Sequence, residues 1–143
     1  MMFDPERYEN PPDDRIREIL KTYKNVAVVG LSSNEIRPSY SVSRYLQKRG
    51  YKIIPVNPKE TEILGEKVYP HLSDIPEKVD IVDVFRRPEF VPPIVDEAVK
   101  IGAKVIWLQE GVVNHPAAIQ ASQQGVLVIM DKCMLKEHRK LCE

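Results

Sequence analysis

The sequence predicts a single α/β domain whose doubly wound, mostly parallel sheet carries helices on both faces. Three observations carry that prediction. Six short apolar runs, most of them β-branched and nearly continuous, recur along the chain, as strands covered on both faces should. Segments with apolar residues at helical spacing alternate with most of these runs. The spacing between runs suits crossover helices better than hairpins, and right-handed crossovers restrict the topology to doubly wound forms. A chain of 143 residues, 43% apolar and 29% charged, is one ordinary globular domain's worth.

Residues 1–12, rich in proline and charge, read as an N-terminal arm, and residues 13–143 as the domain. Ile16, Ile19, Leu20 and Tyr23 repeat at i, i+3, i+4 and i+7 and predict the first helix. The strand Val26–Val29 follows. Val42, Tyr45, Leu46 and Arg49 mark the second helix, which Gly50 stops. Lys52–Val56 is the second strand. Lys67–Tyr69, shorter and more polar, reads as an edge strand, and Ile81–Phe85 as the fourth strand. Pro92 and Pro93 fit only the first turn of the next helix, because an interior proline loses a hydrogen bond and clashes. That helix carries Ile94, Val95, Ala98, Val99 and Ile101 and closes at Gly102. Lys104–Leu108 and Val126–Met130 are the last two strands. Between them Asn114 is the predicted cap of a helix over His115–Gln124, with Gly125 beyond it. Met134–Leu141 is the final helix.

Composition excludes several classes. Lys plus Arg and Asp plus Glu both total 21, so the net charge is zero, unlike a general nucleic-acid binder. No run approaches the ~18 apolar residues of a membrane span. The N-terminus lacks the apolar stretch of a signal peptide, and the expected location is the cytoplasm. Cys133 and Cys142 are no disulfide framework. With His138 they lack the spacing of a zinc site, and no metal is expected.

In an open parallel sheet the ligand sits beyond the carboxyl ends of the strands. The residues there are Gly30-Leu31-Ser32-Ser33, Asn57-Pro58-Lys59, Arg86-Arg87-Pro88, Gln109-Glu110-Gly111 and Asp131-Lys132-Cys133. Arg37, Lys59, Arg86 and Arg87 along one rim of a neutral protein predict an anion site. Gly30 allows a sharp turn, and the following helix N-terminus favours phosphate. Ser32, Ser33 and Ser39 add hydroxyls. The loop has neither the G-x-G-x-x-G spacing nor a P-loop Gly-Lys-Ser/Thr. The second strand ends in Asn57-Pro58-Lys59, where a dinucleotide dehydrogenase carries an acid for the ribose hydroxyl. A lysine there suits a phosphorylated ribose. The frame is therefore Rossmann-like with a ligand other than plain NAD.

No catalytic residue is assigned. His71 reads as structural or solvent-facing. His115 opens a helix, where the dipole disfavours its charge, and His138 lies where a helix C-terminus favours a cation. Asp83, inside its strand, reads as a buried, hydrogen-bonded carboxylate. Glu110 is the better acid/base candidate, with capping or a ligand contact the preferred role.

Six motifs at strand ends then carry a resemblance: Val28 to Ser32, Arg37 to Tyr40, Pro55 to Pro58, Val82 to Glu89, Trp107 to Gly111 and Met130 to Cys133. From about Asp13 to Leu141 the chain resembles the small stand-alone CoA-binding proteins. Those are similar to the CoA-binding domain of the succinyl-CoA synthetase alpha subunit. The resemblance implies a sheet of order 3-2-1-4-5-6, with Lys67–Tyr69 at the edge. It implies coenzyme A as cofactor. Gly30, Ser32 and Arg37 would hold the pyrophosphate, within the loop that includes Ser33, Ser39 and Tyr40. Val56, Asn57, Pro58 and Lys59 would border the adenosine and its 3′-phosphate. Phe85, Arg86, Arg87 and Pro88 would line the middle of the cleft. Gln109, Glu110 and Gly111 would face the pantetheine arm, with Cys133 beyond. None of the three histidines sits where a synthetase carries its phosphohistidine. The leading expectation is a non-catalytic carrier, sensor or accessory module for CoA or acyl-CoA, with no nucleic-acid or membrane partner. An acyl-CoA-handling enzyme or synthetase subunit is the alternative, and an NAD(P)-dependent oxidoreductase the third reading.

Overall fold

The computed structural model describes residues 6–143; the first five residues of the predicted arm lie outside them. In chain order the elements are α1 (Asp13–Thr22), β1 (Asn25–Val29), α2 (Pro38–Lys48), β2 (Lys52–Val56), β3 (Glu62–Ile63), β4 (Glu66–Lys67), β5 (Ile81–Val84), α3 (Val91–Lys100), β6 (Val105–Leu108), α4 (His115–Gln123), β7 (Leu127–Ile129) and α5 (Met134–Cys142). Five strands form one parallel sheet in the order β2-β1-β5-β6-β7. This is the doubly wound, Rossmann-like single domain that the sequence predicts.

Alternation along the strands sorts their side chains onto two faces. Ala27, Val29, Val82, Val84, Ile106 and Leu108 pack with Val91, Val95 and Ala98 of α3 and with Ala117, Ala118 and Ala121 of α4. Val26, Val28, Ile81, Val105 and Trp107 pack on the other face with Ile16, Ile19 and Leu20 of α1, Leu46 of α2 and Met134 of α5. Both faces are covered, so the strands read as continuous apolar runs. Asp83 is the polar exception, aligned with Val28 and Trp107 on the second face.

The predicted caps hold their places. Asn114 Oδ1 accepts a hydrogen bond from the Ala117 amide at 3.0 Å. Pro92 and Pro93 lie in the first turn of α3, where their missing N–H groups cost nothing.

The expected third strand is reduced. Only Tyr69 bridges to Val56, in parallel, through Asn57 N to Tyr69 O and Tyr69 N to Pro55 O, both 3.0 Å. Lys67 is instead drawn into a small antiparallel hairpin with Glu62. Its turn places Leu64 and Gly65 at positive φ, 54° and 76°. The Tyr69 bridge occupies the edge position beyond β2 that the order 3-2-1-4-5-6 assigns to a full strand.

At the opposite edge, residues preceding α1 cover β7. Asn10 donates to Met130 O at 2.8 Å and accepts from Met130 N at 2.7 Å. The Tyr8 hydroxyl accepts from Val128 N at 3.0 Å. Backbone groups that would otherwise template pairing with another chain are thereby satisfied. Tyr8 N also donates to His115 Nδ1 at 3.0 Å, tying this segment to the start of α4. No helix among the described residues is long and apolar enough to cross a membrane.

Candidate functional site

The crossover through α2 lies on one face of the sheet and the α3 crossover lies on the other. Between β1 and β5 the winding reverses, and the loops leaving these strands splay apart. Two adjoining cavities of about 510 and 970 Å3 open there, sharing Gly30, Lys59 and Arg86.

The loop after β1 bonds to itself. The Ser39 hydroxyl accepts from Ser32 N at 3.1 Å, Ser32 Oγ from Asn34 N at 3.0 Å, and Asn34 Oδ1 from Ile36 N at 3.0 Å. The Ser32 and Ser39 oxygens are fixed as acceptors, leaving their protons as the groups that can meet an anion. Arg37, exposed at the cap position of α2, carries its charge on the wall of the larger cavity. Ser33 and Tyr40 line neither cavity. Ser33 N turns to Glu60 Oε2 at 3.1 Å, and the Tyr40 ring sits 5.7 Å from the Arg44 guanidinium.

After β2, Asn57 is committed to holding two loops together. Its Nδ2 donates to Leu31 O at 3.0 Å and its Oδ1 accepts from Lys59 N at 2.8 Å. Val56, Asn57 and Pro58 border the smaller cavity, and Lys59 borders both. After β5, Phe85, Arg86, Arg87 and Pro88 line the larger cavity. The Arg86 guanidinium lies 4.4 Å from the centroid of the Phe90 ring. The most exposed large apolar side chains, Ile36, Phe90 and Val113, all lie on loops of this end of the sheet.

After β6, Gln109 is buried and its Nε2 donates to Asp83 Oδ1. Burial pushes the Asp83 carboxyl up to about 7, and the Gln109 bond pulls the other way. Glu110 is ion-paired with Lys136 at 2.9 Å, which raises the Lys136 ammonium above its usual value. Gly111 N donates to Asp131 Oδ1 at 2.7 Å, tying this loop to the one after β7. Cys133 closes the far wall at the start of α5, 9% exposed. The larger cavity thus brings together Arg37, Lys59, Arg86 and Arg87 with Glu110 as the opposing acid. Such a rim attracts anions and strengthens where solvent is excluded.

Sequence reasoning missed the far side of the smaller cavity, formed by Pro70, His71, Leu72, Pro93, Ile94 and Glu97. Its signal was absent because α3 and the chain after Tyr69 meet only in the tertiary fold, where Leu72 N donates to Glu97 Oε1 at 2.6 Å. The expectation of a cationic His138 is corrected. The ring is buried, its Nδ1 lies 2.9 Å from the Tyr45 hydroxyl, and desolvation lowers its pKa. Tyr45 donates to Glu143 Oε1, so His138 Nδ1 is the donor in its contact with Tyr45. Among the described residues, no group of three or more His, Cys, Asp or Glu side chains converges as a metal site.

Comparison with known proteins agrees with this geometry. A family model for the CoA binding domain matches residues 24–139. An uncharacterized protein of Bacillus subtilis, YneT, is 44% identical over 130 residues, covering 91% of this chain and 96% of that one. The alpha subunit of an ADP-forming acetate–CoA ligase of Pyrococcus furiosus is 38% identical over 95 residues, 62% of this chain but 21% of the subunit. A solved hypothetical protein from Pyrococcus horikoshii has a TM-score of 0.92 and 39% identity, covering 99% of this chain and 100% of that one. Over a parallel sheet whose switch point carries a cationic cleft, the chain belongs to the CoA-binding-domain family and is related to a domain of the ADP-forming acetate–CoA ligases.

Proposed function

We propose that this protein binds coenzyme A, free or as an acyl thioester, in the cytoplasm, as a non-catalytic carrier, sensor or accessory module. The observation that carries the reading is the rim of Arg37, Lys59, Arg86 and Arg87 at the switch point, with Lys59 where an NAD site would hold an acid. On this reading Gly30, Ser32, Ser39 and Arg37 receive the pyrophosphate. Val56, Asn57, Pro58 and Lys59 receive the adenosine and its 3′-phosphate. Phe85, Arg86, Arg87 and Pro88 flank the middle, and the pantetheine arm runs toward Gln109, Glu110, Gly111 and Cys133. No histidine lines the larger cavity, and Glu110 is ion-paired with Lys136, which supports binding over catalysis. Similarity to part of a ligase alpha subunit favours a second reading, the CoA-binding component of a larger acyl-CoA synthetase. Neither reading includes nucleic acid or membrane.

Calorimetry with CoA, dephospho-CoA and NAD tests the proposal. CoA should bind tightest, and dephospho-CoA should lose about 1.5–3 kcal/mol with the charge-assisted phosphate contact. Lys59→Ala should lower CoA affinity to that of dephospho-CoA. Equal binding of NAD and CoA would overturn the reading in favour of a dinucleotide site.

A further inference from the structure

We propose, building on the reading that the cleft holds CoA, that Asp83 acts through Gln109 as a positioning residue that selects the free thiol of CoA over an acyl thioester. Asp83 is fully buried at the middle of the sheet, one oxygen bonded to Gln109 Nε2 and the other without a partner. Gln109 is the side chain that connects this carboxylate to the cleft. A carboxamide has a donor end and an acceptor end, and an ionised carboxylate only accepts. Asp83 therefore holds the Nε2 end inward, and Oε1 is the end that meets the cleft.

An acceptor at that point discriminates between the two forms of the ligand. The thiol of free CoA offers an S–H donor. A thioester has lost that hydrogen and offers a carbonyl oxygen, which would face Gln109 Oε1 as two unpaired acceptors. A desolvated polar atom left unpaired costs more than a made bond returns, so the mismatch should weigh against the thioester by roughly tenfold.

Protonation of Asp83 reverses the pairing. A proton on the partnerless Oδ2 finds no acceptor. A proton on Oδ1 finds one only if Gln109 turns its Oε1 inward, which brings Nε2 to the cleft as a donor for the thioester carbonyl. The strands beside Asp83 present Val28 and Trp107, neither titratable. The titratable side chains buried over this face are Tyr45 on α2, Tyr51 before β2, and Cys133, Glu137 and His138 around α5, and the charged groups of the cleft rim are Arg37, Lys59, Arg86, Arg87 and Glu110. None of these contributes to the shift of Asp83, which comes from burial opposed by the Gln109 bond. The selection should therefore relax as the pH falls through neutrality.

Calorimetry of CoA and acetyl-CoA with the full chain at about pH 6 and about pH 8, on either side of that titration, tests this. The ratio of the two affinities cancels the 3′-phosphate titration that both ligands share. Wild type should favour CoA at the higher pH and lose that preference at the lower. Gln109→Met, similar in volume without either polar end, and Asp83→Asn, which cannot ionise, should both give pH-independent ratios. A wild-type ratio that is the same at both pH values, or a pH dependence that survives in Asp83→Asn, overturns the role of Asp83. Failure of both ligands to bind wild type at either pH would instead overturn the CoA reading, and this proposal with it.

Discussion

Gly30 and Phe85 meet so closely that a Cβ on Gly30 would lie 2.6 Å from the Phe85 carbonyl oxygen. The contact joins the exits of β1 and β5, the strands that flank the switch point. Gly30 also sits at φ +85°, a conformation that costs an L side chain energy even in open space. The two walls of the cleft are therefore set by one residue with no side chain.

Gly30→Ala should lower stability by about 1–3 kcal/mol, from left-handed strain and from displacement of a backbone carbonyl. It should weaken CoA binding as well, because the loops after β1 and β5 must part. Urea unfolding and calorimetry on the same variant check both effects. An alanine variant with unchanged midpoint and affinity would show that the loops yield without cost.

Arg37 and Arg86 should affect binding without supporting the fold. Arg37 is exposed at the start of α2 with no side-chain cap bond. Arg86 contacts the exposed Phe90 ring. Arg37→Ala and Arg86→Ala should each reduce CoA affinity by about 1.5–3 kcal/mol while the ligand-free melting temperature stays close to wild type. Salt should weaken wild-type binding more than that of either variant, since each variant has lost a screened charge. A large drop in ligand-free stability with intact affinity would assign the arginines to structure.

Asp83 makes stability depend on pH in a defined direction. Its folded-state pKa is raised from 3.8 to about 7, so between those values the native state holds a proton that the unfolded chain releases. That contribution is fully present at acid pH and is lost as pH rises through the folded value. Asp83→Asn removes the buried charge, so it should be more stable than wild type at about pH 8, by on the order of 1–3 kcal/mol. The difference should shrink toward about pH 5, where Asp83 is protonated. Denaturant unfolding at both pH values measures this. A wild type as stable as the variant at the higher pH would show that the ionised carboxylate is better solvated than its burial indicates.

Much of the fold was legible because the signals are local. The β-branched runs from Val26 to Val29 and Val105 to Leu108 needed both faces covered, and both faces are. Asn114, Pro92 and Pro93 mark helix starts through bonds made or omitted within one turn. Lys67–Tyr69 was misleading because an edge segment is held by a neighbour rather than by its own pattern, and the Glu62–Lys67 hairpin claims part of it.

The sequence by itself determined the order of the elements and which loops gather at the carboxyl end of the sheet, because strand period, helix period and turn residues act over a few positions. It also identified the cations there as a group. Only the tertiary structure decided how those residues are used. Asn57 is spent on joining two loops, Ser33 and Tyr40 turn away from the cavities, and His138 is a buried donor to Tyr45. The link from Asp83 through Gln109 to the cleft crosses between adjacent strands. Desolvation and hydrogen-bond pairing depend on atoms brought together from distant parts of the chain, and no local pattern encodes them.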